Sequence, residues 1–132
     1  MGNRLFDMQD YKRLRVTTRA REVIRATYKF TSDLPRSEQF GLTSQMRRAA
    51  VSVGLNIAEG CSRSSTRELI RYLEISGGSA MELDFAILIT EDLEFGREAE
   101  RERLLACLTI FRRELSALIR ALRLRLAERT RT

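Results

Sequence analysis

The most constraining feature of the sequence is a set of large apolar residues near its C-terminal end, separated by alternating steps of four and three positions. The set comprises Leu104, Leu108, Phe111, Leu115, Leu118 and Leu122. This heptad spacing places all of these side chains on one stripe of an α-helix, and the stripe needs other helices to cover it. The pattern predicts a long helix that follows Gly96 and extends to about Ala127 or Glu128.

Two earlier segments also carry apolar residues at helical spacing. The first predicted helix covers about residues 10–31 and ends at a break around Pro35, the only proline in the chain. The second predicted helix has Thr43 or Ser44 as its N-cap. It should end at Gly60, because glycine is typical of the position that follows a helix.

A further helix is predicted from a start signal at residues 65–68, where the sequence Ser-Thr-Arg-Glu fits a capping box. This helix should run to about Asp92 or Leu93. Its centre contains Gly77 and Gly78, each of which costs roughly 1 kcal/mol relative to alanine. Such a cost is usually recovered where a neighbouring helix comes close, so we predict a tight helix crossing there; a kink is the alternative.

Four long helices joined by short links predict an all-α, antiparallel up-down-up-down four-helix bundle. The chain is one domain over residues 1–132, with a short lead at 1–9 and a frayed basic tail at 128–132. Several apolar residues lie off the main stripe of the third helix, and exposed patches of that kind indicate a homo-oligomer. These residues are Ile70, Ile75, Met81, Phe85 and Ile89.

Composition excludes several classes of function. The chain has no histidine and only two cysteines, which removes His-based catalytic triads, the usual zinc sites and a disulfide framework. We expect Cys61 and Cys107 to be packing residues. No run approaches the ~20 apolar residues of a membrane span, and the N-terminus has no apolar signal core. These features predict a cytoplasmic protein with no membrane partner.

The second helix combines two adjacent arginines with an asparagine in an apolar run. Adjacent helical residues point about 100° apart, so Arg47 and Arg48 cannot serve one surface equally. We predict a half-buried polar network that fixes helix register. Its members are Arg48, Ser52, Asn56, Glu59 and Glu82.

The acidic members of this region suggest a second interpretation, a carboxylate-only magnesium site at Glu59, Glu82 and Asp84. Di-metal bundles use a Glu-x-x-His pattern, which a chain without histidine cannot supply. There is also no glycine-rich phosphate loop. We therefore expect no bound metal or cofactor, and no enzymatic activity.

Charge is the strongest functional signal. The net charge is +6, and 22 of the 24 basic residues are arginine, which forks onto phosphate. Residues 1–60 and 97–132 each carry +5, whereas residues 61–96 carry −4. We predict a basic surface where the first and last helices adjoin, binding nucleic-acid backbone with little base stacking. Its residues are Arg13, Arg19, Arg21, Arg25, Arg112, Arg113, Arg120, Arg123 and Arg125.

An alternative interpretation is that the same arginines form a solvated surface with no binding function. In that case they pair with carboxylates three or four residues away, which are Glu22, Glu114 and Glu128. Whether the arginines are paired or free is a question of tertiary structure.

The segment LTSQMRRAAVSVGLNIAEG at residues 42–60, followed by Gly78-Ser79 and Glu82, resembles the 23S rRNA intervening sequence proteins, or S23 proteins. The resemblance covers about residues 11–120. Two positions depart from the family pattern, Thr17 where tryptophan is frequent and Gly54 where proline is frequent. The resemblance implies a four-helix bundle that assembles into a homopentamer.

The same bundle is found in accessory variability determinants, the basic partners of reverse transcriptases in diversity-generating retroelements. Resemblance to them implies binding to RNA or an RNA–DNA hybrid and to a reverse transcriptase. An rRNA-associated role is the nearest alternative. A protein-binding scaffold that recruits its partner through the acidic segment 61–96 is a third hypothesis.

Overall fold

A computed structural model of the protein describes Lys12 and residues 14–131. This part of the chain forms four α-helices, with a short 3-10 helix at Arg36–Glu38 in the first connection. The α-helices are α1 (Arg15–Thr31), α2 (Leu42–Cys61), α3 (Thr66–Asp92) and α4 (Glu98–Arg131).

Each helix packs against two others, so that the described helices form a closed square in chain order, with α1 beside α4. Successive helices are antiparallel. The side chain of Ser76 in α3 reaches the carbonyl of Val53 in α2, whereas Tyr72, earlier in α3, lies beside Gly60, later in α2. The predicted antiparallel four-helix bundle is confirmed.

The heptad stripe of α4 forms one wall of the core, as its spacing predicted. Leu104, Leu108 and Phe111 are fully buried, and Leu118 is partly buried at the edge. Burial of each large apolar side chain stabilises the fold by about 1.5–3 kcal/mol, so this stripe is a major source of stability.

The start of α2 differs from the prediction because its capping group lies in the preceding 3-10 turn. Helix α2 begins at Leu42, before the predicted N-caps Thr43 and Ser44. The Leu42 N–H donates to Oε1 of Glu38 at 3.1 Å, so the preceding 3-10 turn supplies the cap. By contrast, the predicted N-cap of α3 is confirmed, because Ser65 Oγ accepts from the backbone N–H of Glu68 at 3.2 Å.

The outer two helices have different bounds from those predicted. Helix α1 begins at Arg15 instead of about Asp10, which lies outside the described residues. Helix α4 continues to Arg131, so the described part of the predicted frayed tail is helical. Charge explains the extension in part, because arginines in the last turns of a helix interact favourably with its macrodipole.

Gly60 lies inside α2 and does not terminate it, which corrects its predicted role. A Cβ atom there would lie 2.8 Å from Cβ of Tyr72 and 3.2 Å from the carbonyl oxygen of Leu69, so glycine permits the close approach of α3. A tight helix crossing was predicted at the glycine pair, but only one of the two glycines has a close neighbour. A Cβ on Gly77 would contact Leu115 at 3.3 Å, whereas one on Gly78 would meet nothing within 4 Å.

The α3–α4 connection is a Schellman motif. The Phe95 N–H donates to the carbonyl of Thr90 at 2.9 Å, and the Glu94 N–H donates to that of Glu91 at 3.1 Å. Glu94 has φ 58°, a left-handed conformation that usually belongs to glycine, and Gly96 follows with φ 82°. The connection brings Gly96 against the ring of Phe30.

Candidate nucleic-acid interface

The charges of α4 are separated along its length. Its first turns carry Glu98, Glu100 and Glu102, whereas residues 110–131 contain seven arginines and two glutamates. This order suits the helix macrodipole at both ends. It also places a dense positive charge on one half of the bundle, far from the acidic α3–α4 connection.

The groove between α1 and α4 is neutralised within the chain. Arg19 donates from Nε to Glu114 Oε2 at 3.0 Å and from Nη1 to Glu22 Oε1 at 3.2 Å. The hydrogen bond to Glu22 is the largest cause, and that to Glu114 the next, of a pKa of the Arg19 guanidinium that is raised above its ordinary value. Arg15 and Lys29 reach carboxylates of α4 at 4.0 and 3.9 Å. The predicted binding residue Arg19 is therefore engaged in ion pairs.

The other predicted arginines of α1 do not share that groove. Arg21 lines a cleft of about 410 Å³ between α1 and α2, together with Ile24 and Leu55. Arg25 is exposed on α1, and Arg13 lies outside the described residues. The structure thus distributes these arginines over several sides of α1.

A second groove, between α3 and α4, carries arginines from the basic half of α4. Arg120 and Arg123 line it with Ile119 and Glu74, around a volume of about 440 Å³. Arg123 pairs with Glu74 through Nη2 and Oε2. Within the described lining, Glu74 is the only carboxylate.

Most of the basic half of α4 has no such neutralising contact. Arg112, Arg113, Arg120 and Arg125 are exposed, and none of them makes an ion pair or hydrogen bond with another described residue. Arg113 and Arg120 are seven residues apart, so they lie on the same side of α4, two turns apart. Several predicted binding residues are thus available, on the outer side of α4 and beside α3.

The polar set around Asn56 is smaller than the predicted network. Asn56 Nδ2 donates to Ser52 Oγ at 3.0 Å and to the Ser52 carbonyl at 2.9 Å, and Ser52 Oγ lies 2.8 Å from Ser79 Oγ. Ser76 adds a buried bond to the Val53 carbonyl at 2.7 Å. The two serines of α3 were missed, although their spacing of three residues puts them on one helix face.

The three charged residues of the predicted network lie outside this hydrogen-bonded set. Arg48 and Glu82 are exposed, and neither has an ion pair within the described part of the chain. Glu59 pairs with Arg63 at 2.8 Å. Among the described residues, the polar contacts around Asn56 between α2 and α3 are therefore made by hydroxyl groups and a backbone carbonyl, with the Asn56 amide bound to Ser52.

The adjacent arginines of α2 diverge, as helical geometry requires. Arg47 lies over the Tyr28 ring at 4.5 Å and donates from Nε to Thr31 Oγ1 at 2.9 Å, which ties α2 to α1. Arg48 instead lines the mouth of a groove of about 930 Å³ that includes Phe40 and Glu82.

Large apolar side chains are exposed beside this groove and on the outer side of α3. Phe40 and Leu55, which line the groove, are 88% and 64% exposed, and Phe85 and Met81 of α3 are 63% and 53% exposed. The predicted surface residues divide into two groups. Ile75 is exposed as expected, whereas Ile70 is buried in the core and Ile89 is half-buried.

The acidic and thiol side chains of the described residues do not form a cluster. In the described part of the chain, no three Cys, Asp or Glu side chains are grouped so that they could hold a metal ion. Burial raises the pKa of the Cys107 thiol, which disfavours the thiolate, and Cys61 is buried. No helix among the described residues has the length and apolarity needed to cross a bilayer.

Comparison with known proteins places this bundle in a family. Residues 12–117 match the family model described as 23S rRNA-intervening sequence protein. A search of the curated proteins found no match. Among solved structures, the fold is similar to a protein of unknown function from the S23 ribosomal protein family of Bacteroides thetaiotaomicron VPI-5482. The TM-score is 0.69 at 22% identity, over 79% of this chain and 97% of the other. Because the family model covers most of the sequence, the chain belongs to the 23S rRNA-intervening sequence protein family.

Proposed function

We propose that this protein is a non-enzymatic, oligomeric bundle that binds the phosphate backbone of RNA or an RNA–DNA hybrid and assists a nucleic-acid enzyme. The observation that carries the proposal is the set of exposed arginines on α4 that no described carboxylate neutralises. When free guanidinium groups bind phosphates, counterions condensed on the nucleic acid are released, and this release is the main source of affinity for the backbone.

The enzyme that we propose as partner is a reverse transcriptase of a diversity-generating retroelement. Support for this partner comes from the resemblance of the sequence to accessory variability determinants. The family's own description favours a second candidate, association with 23S rRNA. The gene neighbourhood separates the two, because the first requires a reverse transcriptase gene with a template repeat nearby and the second an insertion within a 23S rRNA gene.

Self-association is part of the proposal, with a homopentamer as the expected assembly. The exposed apolar surface of Phe40, Leu55, Met81 and Phe85 supports an interface on α2 and α3. Large apolar patches on a soluble protein mark such interfaces. A ring of five chains would also multiply the positive charge presented to one nucleic acid.

A salt titration of binding to a structured RNA and a matched RNA–DNA hybrid tests the function. We expect the logarithm of the association constant to fall linearly with the logarithm of salt concentration, by about 0.9 for each phosphate neutralised on a duplex. The mass of the oligomer is recorded in the same buffer. If the intact oligomer binds neither ligand at low salt, nucleic-acid binding is wrong and the apolar surface favours the protein-binding scaffold.

Phe85→Glu is expected to reduce the oligomer to smaller species, because it replaces a large exposed apolar side chain of α3 with a charge. Light scattering over a range of concentrations measures the mass, and circular dichroism checks that the helices persist. Leu124→Glu is the matched control, since Leu124 is 60% exposed on α4, away from this surface. Unchanged mass in both Phe85→Glu and Leu55→Glu would contradict an interface here.

A further inference from the structure

We infer that Arg112, Arg113, Arg120 and Arg123, which we call the α4 arginine face, contact the phosphates of a double-helical nucleic acid. This inference rests on the proposed function and adds two things to it: where the nucleic acid lies on the bundle and which form it has. The sequence predicted a binding surface between α1 and α4. The contacts in the structure point to the opposite side of α4, facing outward and toward α3.

The first argument is the availability of charge. In the α1–α4 groove, Arg19 already has two carboxylate partners, and Arg15 and Lys29 lie near Glu114 and Glu100. A phosphate there would have to displace a carboxylate or bind beside it. On the α4 arginine face, three of the four guanidinium groups have no carboxylate partner among the described residues.

The second argument is the geometry of the helix. Arg113 and Arg120 are two turns apart, about 10.5 Å, and Arg112 and Arg123 are three turns apart, about 16.5 Å. The two pairs form two rows that are about 80° apart around the axis. A duplex carries one charge per about 1.7 Å of its axis, so a stretch of this length offers enough phosphates for all four groups.

The third argument distinguishes a duplex from a single strand. Sequence-tolerant single-strand binders add aromatic rings on which bases stack. The one aromatic residue of α4, Phe111, is fully buried, and the exposed rings of Tyr28, Phe40 and Phe85 belong to other parts of the bundle. Regularly spaced guanidinium groups on one helix, without a stacking platform, fit the regular outer backbone of a duplex.

Glu74 would compete with phosphates for the arginines of this surface. Its carboxylate pairs with Arg123 and lines the groove beside Arg120. A phosphate that binds these arginines approaches this negative charge. Neutralising Glu74 should therefore strengthen binding, in contrast to the loss expected from neutralising an arginine.

The test uses the full-length protein with an RNA duplex of about 20 base pairs and the corresponding single strand, titrated with salt. We expect Arg113→Gln/Arg120→Gln to weaken duplex binding by at least about tenfold near 0.1 M salt and to reduce the salt slope by about two per chain. The control, Arg15→Gln/Lys29→Gln, removes the same charge from α1 and should change binding much less. Glu74→Gln should raise the affinity.

The outcomes separate this inference from the proposed function. Equal weakening by the two double variants would show that only net charge matters, which overturns the inference while nucleic-acid binding stands. A clear preference for the single strand overturns the assignment to a duplex. Absence of binding by the unaltered oligomer overturns the inference and the proposed function together.

Discussion

Gly96→Ala is expected to lower the free energy of unfolding by about 3 kcal/mol. This is the largest effect that we expect from a substitution at the α3–α4 connection. Gly96 has φ 82°, where a side chain costs about 1–2 kcal/mol. A Cβ there would lie 2.6 Å from Cε1 and 2.8 Å from Cζ of Phe30, whose ring is fully buried. The ring cannot move away without disturbing the core, so overpacking adds about 1–3 kcal/mol.

Urea unfolding at fixed protein concentration measures this change, since oligomerisation couples stability to concentration. Glu94→Gly in the same turn is the control. Glu94 holds a left-handed conformation at the Schellman position, so glycine should stabilise the protein by up to about 1 kcal/mol. Opposite signs at two neighbouring positions are the expected result. A Gly96→Ala variant as stable as the unaltered protein would contradict the described turn.

Arg101→Ala is expected to destabilise the protein by about 2–3 kcal/mol, the second large effect. Arg101 is only 8% exposed and packs over the Phe30 ring at 5.4 Å. It donates to Thr90 Oγ1 at 3.3 Å and, through Nη2, to the carbonyls of Thr90 and Phe95. These charge-assisted bonds hold the end of α3 against the start of α4, and removal leaves buried carbonyls without that donor.

Thermal and urea unfolding of Arg101→Ala and Arg103→Ala measure this effect. Arg103 lies two residues further along α4, is exposed and makes only an ion pair with Glu100 at 3.5 Å, so its loss should change stability by less than about 0.5 kcal/mol. Arg101→Met should be intermediate, because the apolar stem that covers Phe30 is kept while the hydrogen bonds are lost. Similar stability of the Ala variants would show that the buried arginine has no structural role.

Helix α4 shows why the fold itself was predictable. Its heptad stripe is a local pattern, and the residues that it names, such as Leu104 and Phe111, are fully buried. The start of α3 was predictable for the same reason, because the capping hydrogen bond joins Ser65 to Glu68, three residues apart. Signals confined to a few consecutive turns can be read without knowing which helices are neighbours.

The start of α2 and the role of Gly60 were predicted wrongly for two different reasons. Glu38 caps α2 from a separate 3-10 turn. Gly60 resembles a helix terminator in the sequence, but α3 returns beside it so closely that a side chain would collide with Tyr72. The first contact spans only four residues, but a glutamate in a 3-10 turn is outside the usual capping patterns, whereas the second contact has no local signature.

The candidate interface was likewise predictable from the sequence only in part. The sequence shows that arginines are concentrated in the first and last helices, because composition and net charge do not depend on folding. It cannot show which of them are neutralised. Arg19 pairs locally with Glu22, as its spacing predicted, and the fold adds Glu114 from a position 95 residues away. Arg113 and Arg120 point outward and have no described carboxylate partner.

Sequence by itself determined that this protein is a basic, all-helical bundle, since apolar periodicity and composition are properties of the chain. Tertiary structure alone decided how close the helices approach at Gly60 and Gly96, and which arginines remain free to bind phosphate. The physical reason is range: helix formation is governed by residues three or four positions apart, whereas packing and ion pairing join residues that only the folded chain brings together.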